Sequence, residues 1–450
     1  MAVAPTTLPD DPSESPVREL LRRFLVTFIL GVVVYRLGIF ITIPGVDPSV
    51  LKAKVAGAGD GDLLSSIIAV ADMFNGGAIM NSSIFGLGIT PYISASIILQ
   101  LLTYSMPALK AIQKEGEGGR RKINQYTRYA TLAICSVQAV MAALALTSIN
   151  HDGHPLVTME NKALFVAQAA LVITTGSMVI LWIAEQITKF GIGNGVSVVI
   201  MISILSSLPA AFHGGDAGLP YYLGLITVSM AIIAGIVVVV QAVRRINLEQ
   251  QRRVQGNKVY GGAQTSLPLK LNQANVIPVI FAQPVLMVLG ILIGSVLVGT
   301  PFAHLVDWGT PLYRYLFAGL IVGFTFFYIS ITFDLYDLAN HFKQAGFFIR
   351  GIRPGKNTVD YLGFHLKRIT FIGAIFLAII AILPEILEQN FGLSGRGGRM
   401  LMGGTGLLIV VGVSLDIMQK VGAFFLAHQY RGLGGIGEGD NAPKKSGKRF

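Results

Sequence analysis

A single cysteine, Cys135, occurs among the 450 residues. With no second thiol an intrachain disulfide is excluded and a cysteine-based metal site is unsupported; its place in an apolar run makes it buried filler. Charge is scarce too. Asp, Glu, Lys and Arg make up 13% of the chain, against about 25% in soluble domains. No cleavable signal is evident, because MAVAPTTLPDDPSESPVRELLRR is polar and the first apolar run starts near Phe24. No HExxH occurs, and the glycine-rich GIGNG and GGTGLL lack the Lys-Ser/Thr ending that cradles phosphate. The seven histidines lie in loops or at the ends of apolar runs. Acids inside such runs are few: Glu185 and Asp334 sit at ends, and Asp416 lies four residues before Lys420, where the two share a helix face and pair. An ion-coupled carrier would place acids near the bilayer midplane, and none is evident. Enzymatic chemistry therefore has no support, and neither metal nor cofactor is expected.

What the chain has is apolar length. Hydrophobic residues are 52% of it, and the mean hydropathy is +0.63. Such a chain is a polytopic membrane protein, since one span needs about 20 apolar residues. Ten spans are read, at 24–43, 84–103, 129–149, 163–184, 195–212, 221–242, 274–298, 313–333, 366–386 and 401–424. Lys and Arg then sort the connecting loops. One side collects Arg18, Arg22, Arg23, Lys110, Lys114, Arg120, Arg121, Lys122, Arg128 and Lys189, most of the basic residues that follow, and the tail with Lys444, Lys445, Lys448 and Arg449. The other side holds only Lys52, Lys54, Lys162, Arg314, Arg396 and Arg399. By the positive-inside rule both termini are cytoplasmic. Three cytosolic loops are long and basic: Tyr104–Arg128, Val243–Gln273 and Asp334–His365. Their turn-forming stretches KEGEGGRRK, VQGNKVYGG and GIRPGKN read as ordered projections; the plainer reading is that they only set topology.

The stretch MFNGGAIMNSSIFGLGITPYISASIILQLL (Met73–Leu102) is unlike a lipid-facing span. Its first half is polar and glycine-rich, and non-helical backbone at membrane depth is tolerated only where protein or a water cavity covers it. It therefore faces an interior or a pore. Before it, DLLSSIIAVADMF places Leu64, Ile67, Ile68, Ala71 and Phe74 at helical spacing in a segment too short to span. Ile89, Ile93 and Ile97 form one stripe, and Val196 and Ile200 another after GIGNG; taken alone, such stripes are better explained by ordinary helix packing or lipid contact. Arg36 lies within the first span, and is either functional or extended outward to the interface.

These same residues carry a resemblance. YRLGIFITIPGVD, the Met73–Leu102 stretch, QKEGEGGRRKINQYTRYAT, WIAEQITKFGIGNGVSVVI, VYGGAQTSLPLKLNQANVIPVIFA, FIRGIRPGKNT and GGTGLLIVVGVSLDIM resemble, in order, the signatures of the SecY family, the central subunits of the bacterial protein-translocation channel. Asn257-Lys258 stands where the family has two basic residues before Val-Tyr. The resemblance implies an all-α polytopic protein: ten transmembrane helices in two inverted five-helix halves around an hourglass pore, with a short re-entrant plug helix. On this chain that gives a cytosolic leader (1–23), an N-terminal half (24–212), a C-terminal half (213–424) and a basic cytosolic tail (425–450).

By the same resemblance Ile89, Ile93, Val196, Ile200, Ile280 and Ile409 form the pore ring. The plug falls at about Leu64 to Gly77, with Leu64, Ile67, Ile68, Ala71, Phe74, Asn75, Gly76 and Gly77, and its glycines let it hinge. Cytosolic docking is assigned to Arg245, Arg252, Arg253, Lys258, Arg350, Arg353 and Lys356. The implied function is passage of unfolded secretory proteins across the plasma (inner) membrane, with lateral release of membrane segments between spans 2 and 3 on one side and 7 and 8 on the other. The implied partners are SecE-like and SecG-like small subunits, the SecA motor ATPase, the ribosome, signal-sequence-bearing polypeptides and anionic lipids. A secondary transporter with inverted repeats, and a structural subunit without its own pore, are the competing readings.

Overall fold

Long apolar runs fold as helices here because backbone groups in lipid have no water to bond. The computed structural model describes residues 16–57, 68, 72, 75–151, 154–212, 219–250, 253–255, 258–260, 264–274, 276–282, 285–286, 310–391 and 404–434. The first span comprises α1 (Pro16–Phe28), a π-helical stretch (Ile29–Val34) and α2 (Tyr35–Ile39), followed by the short α3 (Pro48–Gly57). Within the π-helical stretch Gly31 leaves room for a neighbour: a Cβ there would lie 2.4 Å from Ile202 Cδ1.

Next come α4 (Thr90–Ser105), α5 (Pro107–Lys114), α6 (Glu117–Ser148), the paired short strands β1 (Asn150–His151) and β2 (His154–Pro155), α7 (Lys162–Phe190), α8 (Gly195–Phe212) and α9 (Leu219–Gln241). The helices α10 (Pro311–Thr332), α11 (Leu335–Ala345), α12 (Lys356–Phe391) and α13 (Gly404–Gly434) complete the series. Five described helices are long and apolar enough to cross a membrane, or six if α4 and α5 count as one span bent by 100°. That bend follows from Pro107 at the start of α5, which drives Met106 into extended backbone (φ −103°, ψ 115°). Caps set other starts. Asn161 Oδ1 accepts from Leu164 N–H at 3.3 Å and Thr310 Oγ1 from Tyr313 N–H at 3.3 Å.

The expected spans coincide with these helices with two qualifications. Span 2 begins at Thr90 rather than near 84, because residues 75–89 form successive turns. The expected span at 274–298 lies mostly outside the described residues, which give helix at 277–282.

The helices form two bundles. In the first, α4, α6, α7, α8 and the opening helix pack around small side chains: Ala139 and Ala143 of α6 meet Ala169 and Ala170 of α7 with Phe165 and Ile173, the close approach that small residues permit in a membrane. Cys135 is fully buried on α6, as a filler should be. In the second, α9, 277–286, α10, α12 and α13 enclose Ile236, Val279, Phe317, Ile321, Leu377 and Leu408. The bundles meet where α8 packs on α13. Large apolar side chains such as Val137, Met141, Leu144, Leu171 and Val238 stay exposed on the outer faces, as lipid contact requires.

The long loops are folded. The first holds α5 and the start of α6. The second is an antiparallel ribbon of β3 (Val243–Gln250) and β6 (Gln264–Lys270), with the short β4 (Arg253–Gln255) and β5 (Lys258–Tyr260) paired between them. The third holds α11 and β7 (Phe347–Phe348), and β7 adds to β3, so the sheet order is β6-β3-β7. Ile246 and Leu248 alternate inward from β3 and join Leu269, Ile349, Leu362 and Ile369 in one apolar core. The loops are thus ordered projections, as their turn residues suggest.

Candidate functional site

Asp72 and residues 75–89 are held inside the first bundle. Asn75 N–H and Gly77 N–H donate to the Asp72 carbonyl at 3.1 and 3.0 Å, while Asp72 Oδ1 accepts from Ile79 and Met80 N–H at 2.7 and 2.9 Å. Tyr35 Oη lies 2.7 Å from Ser203 Oγ and donates to the Asn75 carbonyl at 3.3 Å. Asn75 Nδ2 donates to the Gly86 carbonyl at 3.0 Å. Below, Ile43 N–H donates to Ser82 O at 2.8 Å and Ile84 N–H to Ile41 O at 3.0 Å. The Phe85 ring stacks on Tyr35 with centroids 5.9 Å apart and fills the space over Gly38, where a Cβ would lie 2.0 Å from it. The stretch therefore faces protein, and its backbone is bonded within itself and to span 1.

Of the expected plug, Leu64, Ile67, Ala71 and Phe74 lie outside the described residues. Ile68 and Asp72 are helical, but Asn75, Gly76 and Gly77 are in turns. The plug helix expected at about Leu64 to Gly77 thus gives way to turns by Asn75. Gly76 (φ +65°) is wedged against span 5: a Cβ would lie 2.7 Å from Ser206 Oγ and 3.1 Å from the Ser203 carbonyl. Its own carbonyl accepts from Arg36 Nη1 at 3.3 Å. Arg36 also lies over the Phe40 ring, 5.4 Å from its centroid, so it binds the protein as well as reaching outward.

Four of the expected ring residues come together. Ile89, Ile93, Val196 and Ile200 share one apolar cluster with Val198 and Val199, and Val413 and Ile417 of α13 pack against it. Ile409 is buried, 3% exposed, beside Leu408 and Val411, which belong to the core of the second bundle. Ile280 is half-buried next to Val279, in that same core. Four of the six thus share one cluster, and Ile280 and Ile409 lie on the C-terminal helices outside it.

Among the docking candidates, Arg245 on β3 and Arg350, Arg353 and Lys356 around the third loop's tip are exposed. Arg353 sits in a tight turn between Gly351 (φ +82°) and Gly355 (φ +119°), fastened by Thr358 Oγ1 donating to the Arg353 carbonyl at 3.2 Å. Arg253 and Lys258 lie on β4 and β5; Arg252 lies outside the described residues. Arg128 binds Glu185 through two bonds, Nε to Oε1 at 2.6 Å and Nη2 to Oε2 at 2.7 Å, tying α6 to α7. Lys420 pairs with Asp416 at 2.8 Å, as their spacing implies.

The SecY family model matches residues 83–418. The chain belongs to the SecY family. The protein translocase subunit SecY of Thermotoga maritima is 38% identical over 421 residues, covering 93% of this chain and 95% of that protein. The protein of the same description from Escherichia coli K12 is 39% identical over 426 residues, covering 92% and 93%. A solved protein-conducting channel matches with a TM-score of 0.60 at 17% identity, over 91% of this chain and 93% of that one. Canine Sec61, solved in a ribosome–channel complex, matches at 0.57 and 15% identity over 91% and 93%. The chain is a mostly helical, multi-pass membrane protein with the fold of SecY and Sec61 channels.

Sequence reasoning missed the polar clasp of Tyr35, Asn75 and Ser203. The available signal was weak: a tyrosine and a serine each inside an apolar run, both needing a buried partner. It also missed the joining of the second and third loops by β7.

Proposed function

We propose that this SecY-family chain is the protein-conducting channel of its membrane. It passes unfolded secretory polypeptides between its two halves and releases membrane segments sideways into lipid. The observation that carries this is the aliphatic cluster of Ile89, Ile93, Val196 and Ile200 at the two helix starts broken by glycine, met from the other half by α13. Aliphatic side chains at a constriction dewet and resist ions. They part for a translocating chain because each dispersion contact is small, and they offer no sequence-specific bonds. Ile280 and Ile409 complete the ring from the second half as the halves move, and residues 64–77 are the plug, rooted at Asp72–Gly77.

Energy comes from outside. Arg245, Arg252, Arg253, Lys258, Arg350, Arg353 and Lys356 dock a SecA-type motor ATPase or the ribosome, whose RNA is polyanionic. SecE-like and SecG-like subunits clamp the halves, anionic lipids meet the basic cytosolic faces, and both termini lie in the cytoplasm of the inner membrane. The test is reconstitution of the chain with a SecE-like partner in vesicles, adding motor, ATP and a signal-bearing precursor. Protease-protected precursor is the expected result; small-molecule flux without precursor protection would favour a transporter and sink this reading.

A further inference from the structure

The two halves are joined in two unlike ways. Where α8 meets α13 the contact is helix against helix, with Val413 and Ile417 packed on the Val196–Ile200 cluster. At the cytosolic end of the opposite seam, the N-terminal half's α5 reaches the C-terminal half through charge. Lys110 Nζ lies 3.2 Å from Asp334 Oδ2, and Lys114 Nζ lies 3.6 Å from Asp337 Oδ2. Beside the first pair is a cavity of about 510 Å³ lined by Tyr104, Lys110, Ser330, Phe333, Asp334 and Tyr336, among others. A cavity there means that little apolar contact is lost when the halves part at this level. What is lost is the ion pairs, and exposed pairs are weak and screened by salt.

Asp334 has a second role. Its Oδ1 caps α11, accepting from Tyr336 and Asp337 N–H at 3.1 and 3.2 Å. The other end of α11 runs through Gly346 (φ +73°) into β7, which is paired to β3 at Glu249 and Gln250. One carboxylate thus belongs both to the seam and to the rigid body that displays Arg245 and Arg353.

We propose that Lys110–Asp334 and Lys114–Asp337 are an ionic latch across the front seam, closed at rest and opened when a partner displaces the β6-β3-β7 sheet and draws α11 away from α5. This rests on the channel reading above. The latch is weak by its chemistry: each pair biases the closed state by roughly fivefold at most, so a docked partner breaks it readily.

The test uses the full chain with its partner subunits in vesicles, with Cys135→Ser as background and spin labels at Tyr104→Cys and Ser330→Cys, which line the same cavity. Lys110→Met and Asp334→Asn (Asn still caps a helix) should each raise the long-distance population about threefold to fivefold. The double variant should do no more than either alone, since the two act through one bond. Raising salt should lengthen the wild-type distance more than that of the double variant, which keeps only the Lys114–Asp337 pair. Effects that add in the double variant, or singles with the wild-type distance, would overturn the latch. Precursor transport is measured on the same vesicles. Normal wild-type transport with unresponsive distances fails the latch alone, whereas no wild-type transport fails the channel reading while the distances still decide the latch.

Discussion

Replacing Tyr35 by Phe removes one oxygen from the clasp and leaves the ring, with its stack on Phe85, in place. The lost bonds are Tyr35 Oη to Ser203 Oγ at 2.7 Å and to the Asn75 carbonyl at 3.3 Å. Neither partner is orphaned: Ser203 Oγ still donates to Val199 O at 2.8 Å, and Asn75 O still accepts from Ala78 N–H at 3.3 Å. The cost is therefore that of one ordinary buried hydrogen bond, about 1 kcal/mol, or about a fivefold shift toward a loosened 72–89 stretch. Gly76→Ala should do more. It forces a side chain into left-handed backbone, at about 1–2 kcal/mol, and drives its Cβ to 2.7 Å from Ser206 Oγ. The assay is resting ion leak from vesicles carrying equal amounts of assembled channel. A leak rising from wild type through Tyr35→Phe to Gly76→Ala is expected. Leak unchanged in both variants, at matched protein levels, would refute the idea that this stretch roots the seal.

Ile409→Asn puts an amide into a site that is 3% exposed; we expect it to weaken the closed state and increase export of a precursor with a defective signal several-fold, and no gain at normal protein levels would remove Ile409 from the ring. Arg353→Glu should keep its topology in a protease map and lose most motor- or ribosome-driven transport, because a guanidinium makes paired bonds that neighbouring lysines cannot copy; wild-type rates would refute docking there. His365, beside Tyr361 with ring centroids 4.4 Å apart, is held below the ordinary histidine value of 6.5 by burial and by Arg244 and Arg368. The unfolded chain therefore takes up this proton first, so stability is full above about pH 6.5 and declines as pH falls below it. Thermal unfolding in detergent from pH 7.5 to 5.5 should show this decline, and His365→Gln should flatten it; an equal slope in the variant would assign the titration elsewhere.

The spans were legible because lipid imposes one rule on every backbone group, so hydropathy alone places α6, α7, α10 and α12. The four clustered ring residues were legible as stripes only at the level of helix faces. Periodicity could not say that Ile93 and Val196 join one cluster, since that depends on how distant helices are placed. Residues 75–89 were legible as non-helical from their glycines, but their placement was not, because it depends on the distant partners Tyr35, Ile41 and Ile43. The β3–β6 ribbon was half legible: Ile246 and Leu248 alternate with polar neighbours, but the partner strand lies beyond an intervening hairpin, and the two residues of β7 carry no pattern of their own.

The lengths of α6 and α12 have a further consequence. Relative to the apolar stretches at 129–149 and 366–386, α6 begins at Glu117 and α12 at Lys356, so each extends on the loop side by 10 to 12 residues, or about 15–18 Å at 1.5 Å per residue. On the docking proposed above, a large body resting on those stems would stand off the bilayer by that height. The low gallery left beneath it admits an extended strand or a single helix about 10–12 Å across. It is too shallow for even a 100-residue domain, whose radius of gyration alone is about 13 Å. A client entering from the docked side therefore has no room to fold before it meets the pore. On this view the height of two helices keeps cargo threadable without any chaperoning surface, and shortening either stem would tilt the docked body rather than merely bring it closer.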